Sequence, residues 1–466
     1  MMRKISRVLK IKPLYLLLIT TIVCIISFLA GLDVKQIQTL AIIALMMSGI
    51  IFYWEFKVSF SSLGMVLLLL VGGLDIEGFI KFSHLDVIIF LIGMMIIVEY
   101  LERVAFFEGI VNFLLRTLCK TAFSLISVFF IMTAIFASLV GVITAILFMI
   151  PIILDIALKY RVNVIPLILM VVFAANIGSS ATAVGNPVGI LIALGGHLTF
   201  FDFIRWSTPI TIVSLLISLV FSFLIFKEDL HKLNRAMSEE SKVALVEKGE
   251  ISIKEQLKSW ALFIGVLTVI ALHEVLEKML NLQEGNILLA AAIGGATIVL
   301  FLRHEELEDI LENGVDWPVL LFFIFLFSSV GALEHVGITE IIANTLKNIA
   351  GGNIAMVLLA VMVIASLLSA FLDNVLTVAF FIPVINHLKE MGLNVYPLWW
   401  GLLFSGTYFG NFTIIASTAN IVAVSLLESR KAGRITFMEW LKYGPIFSVI
   451  PIVIAFFLLY LQLPLM

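Results

Sequence analysis

SAFLDNVLTV (369–378) sets an aspartate and an asparagine, Asp373 and Asn374, inside an otherwise apolar stretch. A carboxylate at membrane depth costs several kcal/mol unless compensated, about 2.5–3.5 for an aspartate on insertion scales. Asp373 is therefore expected to hold a cation or carry a proton, with Asn374 and Thr377 as adjacent ligands. The alternative is that it caps the helix beginning after it. NIGSSATAVGNP (176–187) offers another chemistry, since two Gly, two Asn, three hydroxyls and a Pro interrupt a run that should be a continuous membrane helix. A broken helix presents C-terminal carbonyls that can hold a cation and, where it restarts, free N–H groups that can hold an anion. Gly178 and Gly185 permit unusual backbone angles, and Pro187 suits the first turn of the restarting helix. Asn176, Ser179, Ser180, Thr182 and Asn186 add neutral oxygens and amides. GTYFGNFTIIASTAN (406–420) repeats the pattern with Asn411, Thr413, Ser417, Thr418 and Asn420. Close packing by small residues is the competing explanation for any single hydroxyl.

The elements that must position these groups are membrane helices. The chain has 466 residues, 62% hydrophobic and only 13% charged, with a mean hydropathy of +1.16. Soluble domains keep about a quarter of their residues charged, so the composition excludes a soluble protein. Net charge is −3 with no long basic block, which gives nucleic acid no footing. Cys24 and Cys119 stand alone, without disulfide or metal-ligand spacing. No Walker-type loop and no nucleophile, base or metal constellation is present, so neither ATP hydrolysis by this chain nor an enzyme is expected. The N-terminus, MMRKISRVLKIKPLYLLLITTIVCIISFLAG, has the charge order of a signal peptide. Its apolar run is long enough to span and lacks a small-residue cleavage site, so it reads as a retained first helix.

Apolar runs of spanning length fall near 13–31, 38–54, 59–74, 85–101, 207–226, 259–275, 286–302, 318–334 and 444–463. Regions 122–198 and 354–428 each read as a re-entrant hairpin followed by one interrupted crossing. The fold class is then an all-α integral membrane protein with 11 transmembrane helices, two re-entrant hairpins and two broken helices. With the N-terminus inside, 23 of the 29 Lys and Arg fall on the cytoplasmic side, as the positive-inside rule requires. YLERVAFFEGI (100–110) matches ALEHVGITEII (332–342), and ILFMIPII (146–153) matches VAFFIPVI (378–385), both at an offset of 232. The equivalent spans run in opposite directions in this topology, so the two repeats are expected to be inverted.

NIGSSATAVGNPVGILIA, FLDNVLTVAFFIP, and NFTIIASTANIVAVSLLE followed by GRITFMEWLKYG resemble the ion transporter superfamily. That group includes citrate-transporter-like permeases, the membrane component of arsenite pumps, NhaD-type antiporters, the P protein and dicarboxylate/sodium symporters. The resemblance covers about residues 38 to 463. It implies a homodimer in which a scaffold supports a moving body made of hairpins and broken helices, where the tips and breaks bind coupling cation and substrate. By position it assigns the second tip to Asp373 and Asn374, and the second break to Thr413, Ser417, Thr418 and Asn420. The first break corresponds to Thr182, Gly185, Asn186 and Pro187. Two departures stand out: the first tip reads Gly141-Val142-Ile143 with only Thr144 polar, and Asn186-Pro187-Val188-Gly189 replaces a Pro-Pro-Asn pattern. Both remove ligands from the first half and favour a single-ion or proton-coupled cycle over a two-sodium one.

The expected organisation is N-terminal scaffold helices (1–83), a first repeat (84–226, hairpin about 122–158, broken helix about 164–198), a charged cytoplasmic linker (227–258), connecting helices (259–315) and a second repeat (316–466, hairpin about 354–389, broken helix about 397–428). The expected function is secondary transport of a small organic or inorganic anion coupled to Na+ or H+. The alternatives are a Na+/H+ antiporter, an arsenite efflux permease and, further off, a passive channel. No cofactor is expected beyond Na+ as coupling ion, with Asp373, Asn374 and Thr413 as its possible ligands. The expected partners are the anion, the lipid bilayer and a second copy of the chain, with an ATPase subunit conceivable. Placement is in the plasma membrane with the C-terminus outside. Glu102 and Glu334, near helix ends, are expected to be solvated or paired with Arg103, while Glu99 sits deeper and could line a path. His84, His197, His335 and His387 fall at span ends without metal spacing.

Overall fold

A computed structural model describes residues 2–119, 121–239 and 253–466, and among them every regular element is helical. Hydrocarbon offers backbone amides no hydrogen-bond partners, so apolar runs satisfy their own N–H and C=O groups as helices. Six of the described helices are long and apolar enough to cross a bilayer, or up to nine if three sharply bent pairs each count as one span. Ile165–Ala181, Pro187–Gly196, Ile354–Ser369 and Thr418–Ser429 are apolar but shorter. Two of these short pieces flank a break, Thr418–Ser429 follows another, and Ile354–Ser369 is one arm of a helical hairpin.

The chain forms two compact units. One comprises Met1–Ile88, Asp316–Ala360 and Ala379–Val395, and the other Ile89–Val315, Val361–Val378 and Tyr396–Met466. In the first unit, Met65, Leu68, Leu74 and Ala332 form a core. Gly331 meets the Phe82 ring so closely that a Cβ would sit 2.2 Å from it. Gln36 donates to the Val336 carbonyl (2.9 Å), and Ser328 to that of Phe79 (3.1 Å).

The second unit carries both breaks. Helices Ala122–Val140 and Val142–Lys159 are joined at Gly141, whose φ of 105° suits glycine, and form the first hairpin. Helix Ile165–Gly178 then ends in a short 3-10 turn, Ser179–Ala181, before Pro187–Gly196 restarts. Gly178 allows this crossing to touch the hairpin: a Cβ there would lie 2.5 Å from the Ala134 Cα. Later, helix Ile354–Ser369 turns at residues 370–373 into Asn374–Glu390. Tyr396–Phe409 ends before the 3-10 turn Ile414–Ala416, and Thr418–Ser429 follows. Both expected interruptions are therefore present, at 179–186 and 410–417.

Element order recurs along the chain. Leu85–Arg103 and Trp317–His335 each have 19 residues, and each is followed by an amphipathic helix, Phe106–Leu118 or Ile338–Ile349, and then by a hairpin and a break. The expected solvated linker differs at its start. Lys227–Glu239 is a helix with Leu230 and Leu233 fully buried, because Leu230, Leu233 and Met237 fall on one helical face. Its Asn234 accepts a hydrogen bond from the Ala122 N–H (3.0 Å), which caps the first hairpin's leading end. Residues 240–252 of that linker lie outside the described residues.

Candidate functional site: a carboxylate at two helix ends and two braced breaks

Asp373 and Asn374 occupy the turn of the second hairpin and are 6% and 8% exposed. The Asp373 carboxylate accepts from the Val375 N–H (2.9 Å) through Oδ1 and from the Thr418 hydroxyl (3.3 Å) through Oδ2. Its main-chain carbonyl accepts from the Thr377 N–H (3.1 Å) and hydroxyl (3.4 Å). Asp373 therefore caps the helix that follows it, as the alternative reading had it. Thr418 is the first residue of Thr418–Ser429, and Asp373 immediately precedes Asn374–Glu390, so two helix N-termini converge on one carboxylate. Such ends carry partial positive charge, each worth about 0.3–1 kcal/mol to a nearby anion and more when partly buried. The fold thus sets the Asp373 carboxylate where the dipoles of two helix ends favour a negative group.

The tip is fastened to the second break. Ser369 donates to the Gly406 carbonyl (3.1 Å), and Thr413 donates to the Ala370 carbonyl (2.6 Å). The Thr413 hydroxyl gives its proton to that carbonyl and keeps its lone pairs, while the Thr418 hydroxyl is the one bonded to the carboxylate. The first half repeats the fastening: Thr182 donates to the Ser138 carbonyl. Donor and acceptor there lie 231 and 232 residues before Thr413 and Ala370. The chemistry is not repeated, because the first turn is Gly141.

At the first break, Asn186 caps Pro187–Gly196 by accepting from the Gly189 N–H (2.7 Å), and its amide donates to the Ser179 hydroxyl (2.6 Å). Ser179 donates in turn to the Asn176 carbonyl (2.8 Å). Gly185 is required by close approach, since a Cβ would lie 2.3 Å from the Ser179 carbonyl oxygen. Ser180 faces the helix Thr208–Ile225 and pairs with the Thr211 hydroxyl (2.7 Å).

Three of the expected ligands form a closed brace between the breaks. The Asn176 amide donates to Asn411 Oδ1 (2.8 Å) and to Asn420 Oδ1 (2.9 Å), while its own Oδ1 accepts from Ser417 (3.1 Å). The Asn411 amide donates to the carbonyls of Phe173 (3.3 Å) and Phe447 (3.2 Å). The Asn420 amide donates to those of Gly410 (2.6 Å) and Thr413 (2.9 Å). Each amide nitrogen therefore makes two hydrogen bonds, its full complement. All three side chains are buried. The Asn411 carbonyl also accepts from Trp440 Nε1 (2.8 Å).

Other expected groups have structural partners. Glu99, read as a path-lining residue, lies one helical turn from Arg103 and pairs with it (2.7 Å). Arg103 also meets Glu306 (3.0 Å) and Asp309 (2.5 Å). His197 pairs with Glu284 (3.0 Å), His387 with Glu390 (3.2 Å), and the His84 ring packs edge-on against Phe327. A cavity of about 340 Å³ lies beside the first break, between Ala122–Val140 and Thr208–Ile225, and its walls are mostly Ile, Leu and Phe. Such walls suit an apolar occupant, not the ionic solute that the breaks could hold. Sequence reasoning missed Ser369 and the Ser138 and Ala370 carbonyls, whose roles depend on which helices touch.

A family profile described as citrate transporter matches residues 42–404 and, in a second placement, 287–465. An uncharacterized transporter of Mycobacterium tuberculosis is 30% identical over 384 residues, which cover 81% of this chain and 86% of the relative. The human P protein is 31% identical over 227 residues, 46% of this chain and 27% of that protein. A putative transporter, arsB, of Dictyostelium discoideum is 22% identical and covers 79% of this chain and 81% of its own. Among solved structures, the YdaH transporter of Alcanivorax borkumensis matches with a TM-score of 0.55 at 14% identity, covering 86% of this chain and 89% of that one. That likeness bears on the fold alone.

Proposed function

The chain belongs to the citrate transporter family, and from that premise we propose that this integral membrane transporter moves a small organic or inorganic anion coupled to Na+ or H+. Family and relatives are transporters, so an enzymatic role has no support. The proposed cycle is elevator-type alternating access by a homodimer in the plasma membrane, with inverted repeats, the N-terminus cytoplasmic and the C-terminus outside. The observation that carries the reading is Asp373, a buried carboxylate between the N-termini of Asn374–Glu390 and Thr418–Ser429 and bonded to Thr418 across them. A carboxylate so placed can be neutralised by a cation or proton and can couple that event to the second break. Asn374, Thr377 and Thr418 complete its surroundings. The free N–H groups where Pro187–Gly196 and Thr418–Ser429 begin suit an anionic solute. Asn176, Asn411 and Asn420 act in this scheme as braces that hold the breaks in register.

Purified protein in liposomes should accumulate labelled citrate, or another small anion, only when a Na+ or H+ gradient is imposed. Asp373→Asn should retain the fold and lose the gradient dependence. Gradient-driven uptake that survives in Asp373→Asn would remove this residue from coupling. A second reading rests on the same buried carboxylate. In it Asp373 exchanges a metal cation for a proton, and Na+-dependent changes in internal pH should appear with no anion added.

A further inference from the structure

Helix Thr208–Ile225, entered through Phe203–Ser207, carries Ser207, Thr211, Ser214, Ser218 and Ser222 on one face, and spacings of three and four residues stack side chains along a helix. All five are buried. Three have partners: Ser207 donates to the Ser180 carbonyl (2.6 Å), Thr211 pairs with the Ser180 hydroxyl (2.7 Å), and Ser222 donates to the Ser218 carbonyl one turn back (2.9 Å). The side chains of Ser214 and Ser218 have none. Serines and threonines elsewhere in the helices bond back to the preceding turn, as Thr20, Ser48 and Thr268 do. Ser214 and Ser218 decline that local partner. Tyr408, fully buried on Tyr396–Phe409, brings its hydroxyl beside the side chains of Ser214, Ser180 and Thr211 without a hydrogen bond of ordinary geometry to any of them.

A buried hydroxyl without a hydrogen bond is costly, so these three, two on this face and one on the helix opposite, need an occupant. Water is satisfied by 2–4 polar partners, and the phenol, Ser214 and the Ser180–Thr211 pair supply that number. We propose that this face is a hydration site, a short file of water molecules held by Tyr408, Ser214 and Ser218 beside the first break. From Thr211 to Ser218 it would extend roughly 10 Å at 1.5 Å per residue. Its neutral hydroxyls suit water, which both donates and accepts. The file gives Ser180, at the break itself, an exchangeable donor next to its fixed partners, the Ile177 carbonyl and Thr211. The inference is independent of the transported solute.

X-ray radiolytic footprinting of the full chain in detergent tests it, because water activated beside a buried ring labels that ring. Tyr408 should be labelled while the equally buried Phe404 on the same helix stays at background. Ser214→Val, which puts a methyl where the water would sit, should abolish Tyr408 labelling. The sign of a stability change gives a second readout: Tyr408→Phe should lower Tm if the hydroxyl is bonded to water. A rise in Tm with Tyr408 unlabelled would mean a dry face and overturn the proposal. Labelling present in choline buffer but suppressed by sodium would also overturn it, by making a cation the occupant.

Discussion

Replacing Asn176 by alanine deletes one side chain and breaks three hydrogen bonds at once, to Asn411, Asn420 and Ser417. Two carbonyl oxygens and one hydroxyl lose a partner in a place where all these side chains are buried. A buried polar group without a partner costs about 1–3 kcal/mol, but the members of one network do not add independently. About 3–5 kcal/mol is therefore the expected loss. Unfolding entropy of about 2 cal/mol/K per residue makes each kcal/mol worth on the order of 1 °C for a chain this long, so Tm should fall by about 3–5 °C. Asn176→Asp should do worse than alanine, because its carboxylate meets two carbonyl oxygens and can donate to neither when ionised. Thermal unfolding of purified variants followed by tryptophan fluorescence measures this, with Asn344→Ala on the exposed surface as control. Combining Asn176→Ala with Asn420→Ala should cost less than the separate losses together, since both remove the same bond. A Tm within about 1 °C of wild type for Asn176→Ala, or strictly additive losses in the pair, would show that the brace does not hold the breaks.

Gly185→Ala should destabilise strongly, because its Cβ would meet the Ser179 carbonyl at 2.3 Å; a variant that expresses, folds and transports normally would disprove the tight turn. Asn234→Ala should loosen the first hairpin's leading end by removing the acceptor for the Ala122 N–H, and faster amide exchange confined to residues 121–125 is the expected signature. Thr418→Val should weaken coupling without abolishing binding, measured as a higher half-saturating concentration of coupling ion, since it removes the hydroxyl that reaches Asp373. Asp309 has its carboxyl held below the usual range by the Asn313 side chain and by Arg103. Its contribution is present above the unfolded-state pKa and is lost as pH falls through the lower folded value. Asp309→Asn should therefore flatten the acid limb of a stability–pH curve, slightly and less so at high salt because the group is exposed.

How much of this was legible in the sequence depends on whether the signal was local. The breaks at 179–186 and 410–417 were readable because Gly, Asn and Pro act on their own backbone. Asp373 was readable because a charge in an apolar run needs a reason. Which amide faces which was not, since Asn176 and Asn420 meet only after helices far apart in sequence pack together. The Glu99 pair with Arg103 was readable from their i,i+4 spacing. The apolar face of Lys227–Glu239 was likewise present at Leu230, Leu233 and Met237 but lay hidden under a high density of charge.

The two halves share their mechanical parts and differ in their chemical ones, and the difference bears on stoichiometry. Thr182 to Ser138 and Thr413 to Ala370 are the same fastening at equivalent positions, so each hairpin is tied to its break in the same manner. The positions equivalent to Asp373 and Thr418 are Gly141 and Pro187, neither of which has a side-chain donor or acceptor. A second carboxylate at the first tip would need its own compensation inside the membrane, at about 2.5–3.5 kcal/mol if left bare; glycine avoids that cost and gives up a second charge-carrying tip. The cycle proposed above would then move one coupling charge per turnover at the second tip, with the first half supplying movement and backbone dipoles. Charge counted per labelled anion in voltage-clamped proteoliposomes would decide this. Installing Gly141→Asp should either leave that count unchanged while costing stability, or, if the first tip is a dormant site, raise it by one.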